Sequence, residues 1–250
     1  MLRTVLVLCW FAVFVIGTLP LFLIMLLYSL IDREKCHIAC QKIVRVLVKG
    51  IRWLSGVRVT VKGRENIPEN EAVLYVPNHR SYFDFIVTFE NVESPVINIG
   101  KKELKYIPVI GQWIWLMGTL LLDRKNKKAG YRIIDDAVKQ VKAGVSVFIY
   151  PEGTRNKGVQ EEPLRFREGS LKISSWSHCK TVPVAILNSR DIYENHRPCI
   201  RPTDVTVVFG EPIDPATLTR EELKNYGALT RERIVEMILK EEALSKGENE

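Results

Sequence analysis

From Thr4 to Ile31 the chain runs for 28 residues without a charged side chain, and Arg3 is the only charge before Asp32. A helix needs about 20 predominantly apolar residues to cross the hydrocarbon core of a bilayer, so this run is long enough to enter one. A cleaved secretory leader has a shorter apolar core and a small-residue cleavage site. Neither feature is evident here, so the segment is expected to be retained as an anchor. Pro20 lies near its middle, beside Gly17 and Thr18. Proline removes one helical hydrogen bond and bends the helix. The bend leaves two geometries open, a span across the bilayer or a return into the same leaflet.

The stretch after the apolar run is basic. Lys42, Arg45, Lys49 and Arg52 are spaced by 3, 4 and 3 residues, which places them on one helix face. Ile43, Val44, Leu47, Ile51 and Leu54 fill much of the remainder. The pattern predicts an amphipathic helix suited to an anionic headgroup surface, and it equally suits a soluble helix with a solvated basic face. Basic residues are scarce before the apolar run and plentiful after it, which puts the rest of the chain on the cytoplasmic side of the cell membrane. The division expected is residues 1–55 as anchor and amphipathic helix, and 56–250 as one globular domain.

A formal net charge of +7 is compatible with nucleic acid, anionic membrane or an anionic substrate. No zinc-ligand spacing, RNA-binding aromatic signature or Lys/Arg tract supports nucleic acid. The five cysteines are odd in number and contain no C-x-x-C pair, so neither a disulfide framework nor a metal site is expected.

In the later part, apolar runs at 57–62, 72–76, 96–99, 120–122, 145–150, 182–187 and 205–209 read as strands. Helical patterns occupy 81–89, with Ser81 placed to cap it, then 109–117, 129–143 and 221–245. The alternation predicts an α/β domain: a mixed, mostly parallel sheet flanked by helices. Ligand sites in such sheets lie beyond the carboxyl ends of the strands. Two residue clusters are expected there, Asn78-His79 and the run Pro151-Glu152-Gly153-Thr154-Arg155.

His79 and Asp84 are five residues apart. With His79 just before a helix and Asp84 in its first turn, the carboxylate can hold one imidazole nitrogen and leave the other free to accept a proton. Alone, this spacing also suits a helix cap or a surface contact. The run from Pro151 to Arg155 adds an arginine able to clamp phosphate or carboxylate and a glycine that permits close backbone approach. The chain contains no Walker A loop and no G-x-S-x-G elbow.

Taken together and in order, these segments resemble the glycerophospholipid acyltransferase family, and within it the 1-acylglycerol-3-phosphate (lysophosphatidate) acyltransferases. Asn78, His79 and Asp84 match its Asn-His-x4-Asp motif. Lys101-Lys-Glu103-Leu104 with Pro108, Gly111, Gly118 and Asp123-Arg124 resembles its second region. Tyr150 to Arg155 matches the third motif, and Phe166-Arg-Glu-Gly169 and Val182-Pro183-Val184-Ala185 follow in sequence. Asn156 stands where the family often has serine.

The resemblance implies transfer of a fatty acyl group from acyl-CoA or acyl carrier protein to the 2-hydroxyl of 1-acylglycerol 3-phosphate, giving phosphatidic acid. It implies His79 as general base and Asp84 as its orienting partner. Arg155 and Arg124 become candidates for the acceptor phosphate, with Glu152, Gly153 and Thr154 shaping the pocket and Lys101 a candidate for the oxyanion. No cofactor or metal is implied beyond the thioester co-substrate. Other readings to be weighed are a different lysolipid acceptor, an esterase using a serine such as Ser81, and a non-catalytic lipid-binding module.

Overall fold

In the computed structural model, which describes residues 1–93, 95–124 and 126–247, the helices and strands run in one order. They are α1 (Leu2–Gly17), α2 (Leu19–Ile31), α3 (Arg33–Ser55), β1 (Arg58–Lys62), β2 (Leu74–Pro77), α4 (Phe83–Phe89), β3 (Val96–Lys101), α5 (Ile110–Leu116), β4 (Leu120–Leu122), α6 (Lys127–Lys142), β5 (Ser146–Phe148), α7 (Glu168–Ser177), β6 (Thr181–Leu187), β7 (Asp204–Phe209), α8 (Arg220–Lys224) and α9 (Tyr226–Gly247). The strands form a sheet in the order β1-β7-β6-β2-β5-β3-β4. Among the described strands, β6 and β7 pair antiparallel and the other neighbours run parallel. This is the mixed, mostly parallel sheet that the alternation of patterns predicts.

Parallel strands covered on both faces need apolar side chains on both. Every residue of β2 and β6 is buried. Tyr75, Val182, Val184 and Ile186 face one core together with Val44 and Val48 of α3 and Phe83 and Val87 of α4. Leu74, Val76, Ala185 and Leu187 point the other way, onto α6, α7 and α9 through Ala137, Leu171 and Ile234. The fold is therefore three layers, and α3 belongs to one of them.

That placement revises the reading of the basic stripe. Lys42 and Lys49 are exposed, but Arg45 and Arg52 turn toward the end of α4. Arg45 donates to the carbonyls of Phe89 and Val92 and lies over the Phe89 ring. Arg52 makes a forked pair with Glu90 at 2.6 and 3.0 Å. Carbonyls left free at a helix C-terminus attract cations, so half of the stripe is used inside the protein.

The apolar run breaks at Thr18, with Pro20 in the first turn of α2, and the two helices meet at a 53° bend. No single described helix is long and apolar enough to cross a membrane, although the bent pair passes that test together. α1 packs antiparallel on α3: Trp10 donates to the Leu47 carbonyl at 3.0 Å and Arg3 to that of Leu54 at 3.1 Å. Gly50 makes this approach possible, because a Cβ there would come within 2.2 Å of the Trp10 indole.

The long C-terminal helix expected over 221–245 is two helices. Thr219 and Glu222 form a capping box for α8. The chain then breaks at Asn225, and the Tyr226 hydroxyl enters the core to reach Thr181 and Ile213. Helix α7 had no counterpart among the sequence patterns. Its Gly169, Ser174, Ser175 and Ser177 weaken the helical signal, and burial of Leu171 and Ile173 stabilises it instead.

Candidate active site

β2, β5 and β6 are adjacent and parallel at the centre of the sheet, so the segments leaving their carboxyl ends converge. Asn78 ends β2 by continuing the ladder with its side chain. Its amide donates to the Ile186 carbonyl at 3.0 Å and accepts from the Ile186 N–H at 2.7 Å. The next residue is thereby fixed against β6. The His79 ring lies against Tyr150 at the end of β5, with centroids 4.2 Å apart.

Asp84 sits in the first turn of α4, completely buried. A buried carboxylate must be paired or hydrogen-bonded. Its Oδ2 accepts from the N–H groups of Arg80 at 2.6 Å and Ser81 at 2.8 Å, and meets His79 Nδ1 at 2.8 Å. Its Oδ1 accepts from the Ser189 hydroxyl at 2.5 Å. An ionised carboxylate can only accept, so His79 carries its proton on Nδ1 and presents the Nε2 lone pair. Nε2 has no hydrogen-bond partner among the described residues.

Glu152 underpins this turn. Oε1 accepts from the His79 N–H at 2.5 Å and Oε2 from the Leu164 N–H at 2.8 Å. Burial pushes its pKa up to about 7, against the pull of those two N–H groups. With 4% exposure it lies beneath the turn that it supports. Gly153 has φ +71°, and the Arg167 guanidinium occupies the space a Cβ would need. Thr154 lies exposed on the same turn. Asn156, the departure from the family pattern, is buried and binds its own loop through Gly158 and Glu162 at 2.8 Å each. Its N–H donates to the His79 carbonyl at 2.7 Å.

Arg155 is drawn into a second network. Glu194 accepts from Ser81 Oγ at 2.7 Å, from the Tyr82 N–H at 2.8 Å and from Arg155 at 3.3 Å. The Arg155 guanidinium also lies 3.5 Å from the centroid of the Tyr82 ring. Ser81 does not act as a simple helix cap: it is fully buried, donating to Glu194 and accepting from the Phe83 N–H at 3.0 Å. Such a hydroxyl is not available as a nucleophile, which removes the esterase reading built on it.

Lys101 and Arg124 end β3 and follow β4, two and three strands from β2. At about 4.8 Å per strand, they stand about 10 and 14 Å along the edge. Lys101 pairs with Glu103 at 3.6 Å. Its amino group has no hydrogen bond to the His79 turn among the described residues.

Sequence reasoning assigned no role to Ser189 or Glu194. Both lie beyond β6, in turns at Ser189–Ile192 and Glu194–His196, more than 100 residues from the turn they hold. Ser189 follows the fourth motif closely enough to have been suspected. Nothing in the sequence marks Glu194.

The family model described as Acyltransferase matches residues 58–187. The 1-acyl-sn-glycerol-3-phosphate acyltransferase of Borreliella burgdorferi is 26% identical over 195 residues, covering 78% of this chain and 77% of its own. That of Escherichia coli K12 is 27% identical over 179 residues, 71% of each chain. Among solved structures, the crystal structure of the 1-acyl-sn-glycerophosphate (LPA) acyltransferase PlsC from Thermotoga maritima superposes with a TM-score of 0.72 at 25% identity, covering 94% of this chain and 96% of that one.

Proposed function

Because this chain belongs to the acyltransferase family, whose model spans residues 58–187, we propose that it transfers a fatty acyl group from a thioester to the 2-hydroxyl of 1-acylglycerol 3-phosphate in phospholipid biosynthesis. The observation that carries the chemistry is the His79–Asp84 contact at 2.8 Å with Nε2 left open. The printed names of the relatives supply the acceptor.

Nε2 takes the proton of the acceptor hydroxyl as its oxygen attacks the thioester carbonyl carbon. The resulting imidazolium is stabilised by Asp84, which the N–H groups of Arg80 and Ser81 and the Ser189 hydroxyl keep in place. The tetrahedral adduct then collapses. Its carbon–sulfur bond breaks, and the leaving sulfur takes the proton back from His79. No enzyme nucleophile, cofactor or metal enters this scheme; the donor is acyl-CoA or acyl carrier protein. General base catalysis contributes about 10²–10⁴-fold, and positioning of the two substrates supplies the remainder. Arg155 and Arg124 are the phosphate-binding candidates that the motifs provide. Lys101 stays the candidate for the oxyanion that the motifs provide.

Residues 1–55 are proposed to hold the site at a cell membrane, with residues 56–250 on its cytoplasmic face. The exposed side chains of α2 support this reading: Leu27 is 65%, Leu30 80% and Ile31 83% exposed. Lipid would cover apolar surface that the protein leaves bare. The bend between α1 and α2 and the packing of α1 on α3 favour a pair inserted in one leaflet.

The test is direct. Purified protein given an acyl thioester and lysophosphatidate should release free thiol, whereas the His79→Ala protein should release little. Equal release by both would sink the scheme. A panel of other lysolipids, run beside lysophosphatidate, fixes the acceptor.

A further inference from the structure

Asp84 holds His79 at one ring nitrogen, and Glu152 and Asn156 hold its backbone. An imidazole bonded at Nδ1 alone can still pivot about that bond, so these contacts leave the plane of the ring free. Tyr150 supplies the missing restraint. The two rings stand 4.2 Å apart between centroids and are inclined by 32°. With the plane set, Nε2 points in one direction. The His79 side chain keeps 22% exposure, so the imidazole is backed by Tyr150 and remains reachable from the site.

Tyr150 is itself fixed. It lies two residues beyond Phe148, the last residue of β5, so both side chains leave the extended chain on the same face. Phe148 meets the Tyr150 ring edge-on at 5.4 Å and stacks in turn on Tyr75 at 5.9 Å. The Tyr150 hydroxyl is buried, close to Thr88 of α4 and to the Asp84 carboxylate. Burial, and after it the charge of Asp84, push its pKa well above the ordinary phenol value. The ring that backs His79 is therefore neutral, held on one side by an aromatic stack and on another by α4.

We propose that Tyr150 is a positioning residue for acyl transfer: its ring face sets the plane of the His79 imidazole and stabilises the imidazolium formed when Nε2 takes the acceptor proton. The role rests on the functional reading above, in which His79 is the base. An aromatic face attracts a cation lying within about 6 Å of its centroid, and the His79 ring is inside that range. The charge develops only as the acceptor hydroxyl gives up its proton. The attraction is then stronger in the transition state than in the ground state, so it acts on kcat and leaves KM alone. The hydroxyl of Tyr150 has no part in this, and phenylalanine should serve equally.

The experiment compares Tyr150→Leu with Tyr150→Phe in the full chain, assayed in lipid vesicles with lysophosphatidate and the thioester varied separately. Tyr150→Leu should lower kcat about tenfold, the size of a partly desolvated cation–π contact. Both KM values should stay within about twofold of wild type. Tyr150→Phe should keep kcat within about twofold as well, since it retains the π face. Tyr150→Met, which fills similar space without that face, replaces the leucine variant if the latter melts well below wild type. Proton NMR reads the contact itself. The His79 ring protons, identified by their loss in His79→Ala, should lie upfield in wild type and Tyr150→Phe and move downfield in Tyr150→Leu or Tyr150→Met. An unchanged kcat without the π face overturns the proposal, and so does the absence of an upfield shift in wild type. A phenylalanine variant as slow as the leucine variant overturns it too, because the hydroxyl would then carry the effect. If the wild type releases no thiol from the thioester and lysophosphatidate, the functional reading itself is wrong. If it turns over and Tyr150→Leu matches it, only the role of Tyr150 is wrong.

Discussion

The turn from Asn78 to Asp84 and the helix pair α1–α2 stand at opposite extremes of the same molecule. In the turn, the carboxylate of Asp84, the side-chain amide of Asn78 and the hydroxyl of Ser81 all have partners within the chain. His79 Nε2 is left open, and so, among the described residues, is the buried Nε of Arg80. In the helix pair, one side is fixed to α3 by Trp10 and Arg3, and much of the other is bare leucine and isoleucine. The contrast separates what the chain completes by itself from what it leaves for another molecule. Internal bonds fix the turn rigidly enough to aim one nitrogen. The helices leave apolar area unburied, at a cost of about 25 cal/mol per Å² in water, and the proposed lipid surface would recover it.

Four measurements press on this contrast. The largest effect is expected at the open valence: His79→Ala should lower kcat by about 10²–10⁴-fold while leaving vesicle binding intact. If binding fell with activity, the two regions would not be separable. Next, Leu27→Glu with Ile31→Glu should reduce partitioning into vesicles by about 100-fold or more, since each leucine or isoleucine removed forfeits about 1.5–3 kcal/mol of burial. Turnover of a detergent-dispersed acceptor should survive. Flotation with vesicles reads the first quantity, and undiminished flotation would mean that these side chains do not meet lipid.

The third measurement concerns Glu152, whose folded pKa of about 7 lies above its ordinary 4.5. The folded state therefore keeps a proton that the unfolded chain has already released. The stability this provides is complete below pH 4.5 and is lost as pH rises through 7. At about 1.4 kcal/mol per pH unit the change approaches about 3 kcal/mol. Denaturant unfolding should show wild type losing stability across that window relative to Glu152→Gln; parallel slopes would contradict the assignment. The smallest effect is expected at Ser189. Removing its hydroxyl leaves a buried oxygen of Asp84 short of one donor, and Ser189→Ala should lower kcat about tenfold. KM should be unchanged, and Ser189→Thr should restore most of the rate.

How far the site could be read from sequence depended on how local its contacts are. His79 and Asp84 are five residues apart, so one short turn leading into α4 brings them together. The strands of the sheet also announced themselves, because strands buried on both faces need unbroken apolar runs. Arg45 and Arg52 misled for the same reason: their spacing describes one helix face, whereas their partners Phe89 and Glu90 sit on another helix. Helix α7 was invisible because packing, not propensity, makes it helical. Ser189 and Glu194 were missed because their bonds to Asp84 and Ser81 close loops of 105 and 113 residues.

By itself, then, the sequence determined the apolar N-terminal run and its break near Pro20, the α/β order of elements, the ordered motifs and the adjacent pair His79–Asp84. These depend on periodicity and short spacing, which survive without knowledge of any distant contact. The tertiary structure decided which groups surround that pair. It set Ser189 behind Asp84, tied Arg155 to Glu194, and laid the Arg167 guanidinium against Gly153. The physical reason is that a side chain's charge balance and hydrogen bonding depend on neighbours supplied by chain crossovers. The order of strands in the sheet fixes those neighbours, and no local pattern records it.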